Sequence, residues 1–186
     1  WHVLSTCREP DRASALRELS ERHPSMCLHA LDVTQDKSVR SLAEVLDGTT
    51  IDVLLNNAGI AGRIDRQVLG ALDYGVGHET METNLFGPLR MAEAFLEHVA
   101  ASAQRKIMTI SSALGSISST TGGSFFYRCS KSAVNMAMAS LARDVAQRGV
   151  IVGVLSPGVV ATDLTADLDA QKITPQESIS GLIPII

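Results

Sequence analysis

Three residues of the chain have the types and the spacing needed to move a proton to or from a carbonyl or alcohol oxygen. Tyr127 and Lys131 are four residues apart, and Ser112 precedes them in the run Ile110-Ser111-Ser112. If the segment around Tyr127 is helical, residues four apart lie one turn above each other, with about 5–6 Å between their Cβ atoms. A phenol and an ammonium group then share one site.

Lys131 and Ser112 could each assist proton transfer by Tyr127. A free tyrosine titrates near pH 10, so its use as a proton donor or acceptor near neutral pH needs a stabilised phenolate, at about 1.4 kcal/mol per pKa unit. Lys131 can supply that charge, and the Ser112 hydroxyl can hold a substrate oxygen against Tyr127. This predicts interconversion of a carbonyl and an alcohol. By itself, however, Tyr-x-x-x-Lys also occurs as a solvated helix face or a packing pair.

Further motifs decide between these interpretations. Asn56-Asn57-Ala58-Gly59 and Ser156-Pro157-Gly158 each follow an apolar, strand-like run, and Asn84 lies in Thr83-Asn84-Leu85 between them. In this order they resemble the short-chain dehydrogenase/reductase family, over a match that runs from about residue 3 to residue 179. The resemblance therefore covers nearly the whole chain.

The resemblance implies a role for each candidate catalytic residue. Tyr127 is then the general acid/base, and Lys131 lowers the pKa of Tyr127 and holds the nicotinamide ribose. Ser112 corresponds to the serine that orients the substrate. Asn84 corresponds to the asparagine that positions a water leading to the lysine in a proton relay.

The resemblance also implies contacts with a nicotinamide cofactor from residues that follow predicted strands. A small residue and a glycine at one of these turns let the backbone approach the cofactor closely. In chain order the implied contacts are Asp32 and Val33 at the adenine, Asn57, Ala58 and Gly59 at a ribose, and Val160 and Thr162 at the nicotinamide carboxamide.

The choice of cofactor depends on the end of the first predicted strand. An acid there would accept hydrogen bonds from a ribose 2′-hydroxyl, whereas an arginine accommodates a 2′-phosphate. The chain has Arg8 at this place and no acid before Glu9. This favours NADP(H) over NAD(H). The alternative is that Arg8 is a solvated loop residue at the start of the next helix.

Within the family, the sequence from Ile110 to Ser116, followed by Gly122-Gly123 before Tyr127, is similar to the C-factor and sniffer-like carbonyl reductases.

Short apolar runs alternate with amphipathic stretches, which is typical of βαβ units and a parallel sheet. We therefore predict an α/β fold, a Rossmann-like doubly wound parallel sheet in a single NAD(P)-binding domain over 1–186. Strands are expected near 2–6, 26–31, 51–55, 106–111 and 150–155, and helices near 10–22, 36–47, 77–102 and 125–148.

The family's first strand, glycine-rich turn and helix have no counterpart here, and neither has its last strand. The missing turn binds the cofactor pyrophosphate, and the missing first strand lies at the centre of the sheet. Without that strand, backbone groups lose hydrogen bonds. We therefore expect a fragment of a longer reductase that is incomplete at both ends. A shortened paralogue that has lost catalysis is the alternative.

Composition excludes other classes of function. The 186 residues carry a net charge of −4 without a long run of either sign, so neither nucleic acid nor a membrane is expected as a partner. The three cysteines are unpatterned, which favours free thiols and a cytoplasmic protein. The five histidines show no metal-ligand spacing, and we predict no metal.

Two functional hypotheses follow. The first is an NADPH-dependent carbonyl reductase that acts on a small carbonyl or alcohol substrate. The resemblance also implies a homodimer or tetramer, formed through the two long helices at 77–102 and 125–148, with a monomer as the alternative. The second hypothesis is a non-catalytic or truncated protein with a binding or signalling role. Intact Ser112, Tyr127 and Lys131 favour the first, and the missing glycine loop favours the second.

Overall fold

A computed structural model describes residues 1–186. By its internal contacts the chain divides into two compact units, Trp1–Thr49 and Thr50–Ile186. The organisation of 1–186 as a single domain stays a prediction.

The first unit is a βαβα arrangement. Strands β1 (Val3–Cys7) and β2 (Met26–Ala30) pair in parallel. Between them lie a 3-10 turn at Pro10–Arg12 and helix α1 (Ser14–Arg22). The amphipathic helix α2 (Asp36–Val45) follows β2, and its buried residues are Val39 and Leu42.

The second unit contains a three-stranded parallel sheet made of β3 (Val53–Asn56), β4 (Lys106–Ile110) and β5 (Ile151–Leu155), in the order β3-β4-β5. The parallel pairing requires a crossover between strands, and helices make these crossovers. The helices of this unit are α3 (Tyr74–Met81), α4 (Gly87–Ala100), α5 (Phe125–Asp144) and α6 (Pro175–Leu182).

The core of the second unit surrounds β4, the central strand. Ile107 is fully buried, and Met108 packs with Leu155 of β5 and Leu182 of α6. A strand buried on both faces is expected to be mainly apolar, and two of the three buried residues of β4 are apolar, Thr109 being the third. The sheet therefore gives the polar strand ends a rigid base.

The predicted helix at 77–102 differs most from the structure. It begins earlier, at Tyr74, and a π-helical segment at Glu82–Phe86 separates α3 from α4. The prediction of 125–148 as one helix was also slightly wrong, because α5 ends at Asp144 and a 3-10 turn follows at Ala146–Arg148.

Helix α6 had no counterpart among the predicted elements, although the sequence contains its start signal. Thr174 and Glu177 form a reciprocal capping box, and Pro175 occupies the first helical position.

The predicted α/β class is confirmed, because all strand pairs in named sheets are parallel and helices alternate with the strands. β1 and β3 each have one neighbouring strand in the structure. No helix combines the length and the apolar composition that crossing a membrane requires. Cys7, Cys27 and Cys129 are free thiols.

Candidate active site

The second sheet brings polar residues together at one edge. Asn56 is paired in register with Thr109, and Ile110 with Leu155. Because parallel strands end on the same side, the residues after these positions, Asn57 and Ser112 among them, follow neighbouring strand ends.

Ser112 is held by a turn that docks on α5. It precedes a 3-10 turn, and its Oγ accepts a hydrogen bond from Leu114 N at 3.2 Å. Ser132 Oγ of α5 donates to Gly115 O at 2.8 Å. A Cβ at Gly115 would lie 2.9 Å from the backbone carbon of Lys131, so only glycine permits this close approach. The turn and the helix are thus fixed against each other.

Tyr127 and Lys131 both lie on α5, as predicted, and Ser112 meets Tyr127. The Lys131 Nζ lies 5.9 Å from the centre of the Tyr127 ring. The Ser112 side chain is near enough to the Tyr127 phenol to act on its pKa as a hydrogen-bonding group. The structure therefore brings together the three residues that the sequence analysis proposed for proton transfer.

The pKa of Tyr127 differs from expectation. Burial raises the pKa of the phenol above 10, and the hydrogen bond from Ser112 opposes that rise in part. The family resemblance implies that Lys131 lowers the pKa of Tyr127, but the desolvation of the phenol outweighs any such effect here. The phenol of Tyr127 is therefore protonated at neutral pH.

Lys131 is buried, with 5% of its surface exposed. Its Nζ donates to Ile110 O at 3.0 Å. Burial lowers the pKa of this ammonium group from 10.5 to about 8, because desolvation disfavours the charged form. The group can therefore lose and regain a proton close to neutral pH.

Asn84 lies in the π-helical segment and is almost fully buried. Its Oδ1 accepts from Ile60 N at 2.9 Å, and its Nδ2 donates to Ile60 O at 2.9 Å and to Ser130 Oγ at 3.0 Å. Asn84 thus ties the segment after β3 to α5. Single-turn π segments are frequent at functional sites.

The turn Asn57-Ala58-Gly59 runs beside these residues. Asn57 and Ala58 are exposed after β3. A Cβ placed at Gly59 would lie 3.4 Å from Asn84 Oδ1 and 3.5 Å from Lys131 Nζ. These residues fit the nicotinamide end of a dinucleotide, because an ammonium donor and a phenol stand beside an exposed turn through which a ligand can approach.

The remaining predicted cofactor residues of the second unit lie after β5. Val160 forms an isolated parallel bridge with Ile173, and its carbonyl accepts from Thr165 Oγ1. Thr162 begins a 3-10 turn through a capping box with Thr165. Hydrogen bonds within the segment thus hold Val160 and Thr162.

In the first unit, Arg8 follows β1 and Asp32 follows β2, and Cys7 pairs with Ala30 at the end of these strands. Asp32 Oδ1 accepts from Thr34 N at 2.9 Å and Thr34 Oγ1 at 2.7 Å. The hydrogen bond from the Thr34 side chain, above all, lowers the pKa of Asp32, and the charge of Arg8 contributes. Arg8 itself is exposed, and Val33 is half-buried.

Two further buried polar residues lie at this site and were not predicted from the sequence. Ser130 is fully buried, and its Oγ donates to Tyr127 O at 2.8 Å while accepting from Asn84. Its position three residues after Tyr127 was a signal, because residues three apart share a helix face. Gln67 is also fully buried and bonds to the backbone of Tyr127. No local pattern marks Gln67.

Among the residues of the chain, no group of three or more His, Cys, Asp or Glu side chains could hold a metal ion.

The chain is similar to a known protein family and to several of its members. The family model described as short chain dehydrogenase matches residues 1–173. A relative in Rhodococcus sp. strain AD45, 1-hydroxy-2-glutathionyl-2-methyl-3-butene dehydrogenase, is 38% identical over 82% of this chain and 68% of its own length. The C-signal protein of Myxococcus xanthus is 37% identical over 73% of this chain and 80% of its own length.

The chain is also similar to solved structures of reductases. The NADPH-bound carbonyl reductase from chicken fatty liver is similar with a TM-score of 0.89 and 32% identity, over 98% of this chain and 78% of its own. The carbonyl reductase Sniffer of D. melanogaster is similar with a TM-score of 0.85 and 30% identity, over 95% of this chain and 77% of its own. The predicted Rossmann-like fold and the similarity to sniffer-like and C-factor proteins are confirmed.

Proposed function

The chain belongs to the short-chain dehydrogenase family, and from that premise we propose that it is an NADPH-dependent reductase of carbonyl compounds. The observation that carries the proposal is buried Lys131 one helical turn from Tyr127, with its Nζ 5.9 Å from the centre of the Tyr127 ring, beside the Ser112 side chain that acts on the phenol. This arrangement supports a role for Tyr127 as the proton donor, for Ser112 as the group that holds the substrate oxygen, and for Lys131 as the neighbouring cation.

When bound, NADPH supplies a hydride to the carbonyl carbon of the substrate. Ser112 Oγ holds the carbonyl oxygen, and Tyr127 donates its phenolic proton to that oxygen as negative charge develops there. The substrate leaves as the alcohol, and Tyr127 is left as the phenolate. Lys131, together with the segment that Asn84 holds, returns a proton to Tyr127. The reverse direction oxidises an alcohol through the same atoms.

The pKa directions support this assignment. Because burial raises the pKa of Tyr127, the residue enters the reduction step protonated. Because burial lowers the pKa of Lys131 to about 8, this residue can act as the next proton source near neutral pH. A donor and a neighbour with a lower pKa are what a relay requires, since the neighbour then gives up its proton readily.

The cofactor we propose is NADP(H), with contacts from Asp32 and Val33 at the adenine. Arg8 supports the choice, because it is exposed at the end of β1 and can accommodate a ribose 2′-phosphate. The chicken carbonyl reductase to which the chain is similar binds NADPH. At the nicotinamide end the proposed contacts are the backbone of Asn57, Ala58 and Gly59, the side chains of Tyr127 and Lys131, and Val160 and Thr162.

The test compares Tyr127→Phe with Tyr74→Phe. The chain has two tyrosines, and Tyr74 is exposed and makes no proposed contact with substrate or cofactor, so Tyr74→Phe is the matched control. NADPH consumption is measured with a panel of aldehydes and ketones, and NADPH binding by thermal shift. Tyr127→Phe should lower turnover about 10²- to 10⁴-fold and leave NADPH binding intact. Unchanged turnover in Tyr127→Phe would refute the proposal.

A second candidate is a non-catalytic protein with a binding or signalling role. The 37% identity to the protein named C-signal favours it. It predicts that the chain binds NADPH or a partner without consuming NADPH, and that Tyr127→Phe has no effect. The same experiment therefore separates the two candidates.

A homodimer or tetramer and a cytoplasmic location stay predictions. The exposed Met136 on α5 is in keeping with a second copy packing on that helix. Sedimentation of the wild-type chain and of Met136→Lys is the direct check. A monomeric wild-type chain would contradict the first prediction.

A further inference from the structure

Gln67 is a fully buried amide within an exposed segment. It follows the 3-10 turn Ile64–Arg66, whose residues are exposed, and the next residues Val68 and Leu69 are exposed as well. A buried polar side chain is stable only if its donors and acceptors are satisfied. The partners of Gln67 therefore explain why this residue alone turns inward.

The side chain of Gln67 joins two parts of the second unit. Its Nε2 donates to Ala61 O at 2.8 Å and to Arg63 O at 3.4 Å, both within its own segment. Its Oε1 accepts from Tyr127 N at 2.8 Å, and its backbone O accepts from Phe125 N at 3.1 Å. Two amides of the first turn of α5 thus bond to one residue that lies far away in the sequence.

These amides need an outside partner, because the first N–H groups of a helix have none within the helix. Ser124, at the position before α5, makes no side-chain hydrogen bond to them and has a positive φ of 45°. A local cap is therefore missing. Gln67 takes its place from the segment after β3.

The backbone is shaped for this contact. Gly62 has a φ of 68°, and a Cβ there would lie 2.9 Å from Gln67 Nε2 and 2.8 Å from Thr80 Oγ1. A side chain at position 62 would thus force the segment away from Gln67. The same segment begins at Ile60, which Asn84 holds with two hydrogen bonds.

We propose that Gln67 is a positioning residue for Tyr127, acting as a long-range cap that fixes the first turn of α5. The inference rests on the proposed function of Tyr127 as proton donor. The bond to Tyr127 N fixes the backbone of the residue whose hydroxyl meets Ser112. Gln67 does not touch the reacting atoms. Its loss should therefore lower kcat and leave the KM for NADPH nearly unchanged.

Two substitutions at position 67 distinguish the effect of the hydrogen-bond acceptor from the effect of the size of the side chain. Gln67→Met keeps the length but leaves Tyr127 N without its partner. Gln67→Glu keeps an acceptor for Tyr127 N, and because burial favours the neutral carboxyl, its O–H can donate to Ala61 O as Nε2 does in the wild type. Thr80→Val is the control, because Thr80 is equally buried and bonds to Val76 O within α3.

The experiment measures kcat and KM for the whole chain and for each variant, at a temperature where unfolding curves show every variant folded. Hydrogen exchange of the α5 first turn is measured in parallel. We expect Gln67→Met to lose about ten- to a hundredfold in kcat with KM for NADPH within twofold, since small misplacements of a catalytic group cost this much. Gln67→Glu should recover most of the loss, and Thr80→Val should match the wild type.

Exchange at Tyr127 N should become at least tenfold faster in Gln67→Met. A wild-type kcat in Gln67→Met, a loss that Gln67→Glu does not recover, or unchanged exchange would overturn the positioning role. If the wild-type chain binds NADPH without turnover, yet Gln67→Met speeds exchange, the proposed function fails while the capping role stands.

Discussion

The two units of the chain differ in how deeply they bury their polar residues. In Trp1–Thr49, strand β1 is largely exposed, and Arg8 lies in solvent after it. In Thr50–Ile186, the central strand β4 is buried, and Lys131 and Asn84 are each at least 95% buried. The residues proposed for proton transfer are thus fixed by a core, whereas the one proposed to select the cofactor is not. Substitutions in the two units should differ accordingly.

The largest difference should come from matched strand substitutions. Ile107→Ala in β4 removes a fully buried side chain and should lower the free energy of unfolding by about 2–5 kcal/mol. Leu4→Ala in β1 removes a side chain that is 37% exposed and should cost about 1 kcal/mol or less. Urea unfolding followed by circular dichroism measures both. Equal losses of unfolding free energy in the two variants would contradict the view that Leu4 contributes less to stability than Ile107.

The next effect concerns the pH dependence of stability. The pKa of Lys131 is about 8 in the folded chain, below the ordinary value of 10.5. Between these values the unfolded chain binds more protons than the folded one, so the free energy of unfolding rises with pH. The rise from this group is on the order of 3 kcal/mol and is complete above pH 10.5.

Lys131→Met should remove that rise. Unfolding of the wild type and the variant is measured from pH 7 to pH 10.5, and the difference between the curves isolates the lysine. Lys37→Met, in the exposed first turn of α2, is the control and should run parallel to the wild type. Parallel curves for Lys131→Met would mean that the ammonium group is solvated.

A smaller loss of stability is expected when Asn84 is replaced. Asn84→Ala leaves Ile60 N, Ile60 O and Ser130 Oγ without their shared partner, which should cost about 2 kcal/mol because unsatisfied buried groups are unfavourable. Asn57→Ala, at an exposed position, should change stability by less than about 0.5 kcal/mol. Thermal unfolding of the two variants distinguishes them, and a neutral Asn84→Ala would contradict the bridging role.

The parts of this site that follow from local spacing could be predicted. Tyr127 and Lys131 are one helical turn apart, so their proximity was predicted from spacing. Ser112 follows a buried strand and was assigned to the same site through the family resemblance. The strands were predicted because apolar β-branched runs alternate with helical periodicity. Asn84 was also identified, although the π segment around it was not, because a single inserted residue leaves no clear change in the hydrophobic pattern.

The parts that depend on tertiary contacts could not be predicted. Gln67 bonds to Tyr127 N, which is 60 positions further along the chain, and its exposed neighbours give no sign that it is buried. The raised pKa of Tyr127 depends on how much protein surrounds the phenol, which spacing cannot give. Helix α6 is different, because its capping box and proline were visible in the sequence and were not used.

The smallest effect on stability, and the clearest on specificity, is expected at Arg8. Because Arg8 is exposed, Arg8→Ala should leave unfolding unchanged within about 0.5 kcal/mol. If its guanidinium meets a ribose 2′-phosphate, the variant should lose about tenfold in affinity for NADPH, since hydrogen bonds to charged groups contribute about 1.5–3 kcal/mol. Affinity for NADH should stay the same. Arg17→Ala on the exposed face of α1 is the control, and titration with both cofactors is the measurement. An unchanged preference would assign Arg8 to the solvated start of the following turn and leave cofactor selection to other residues.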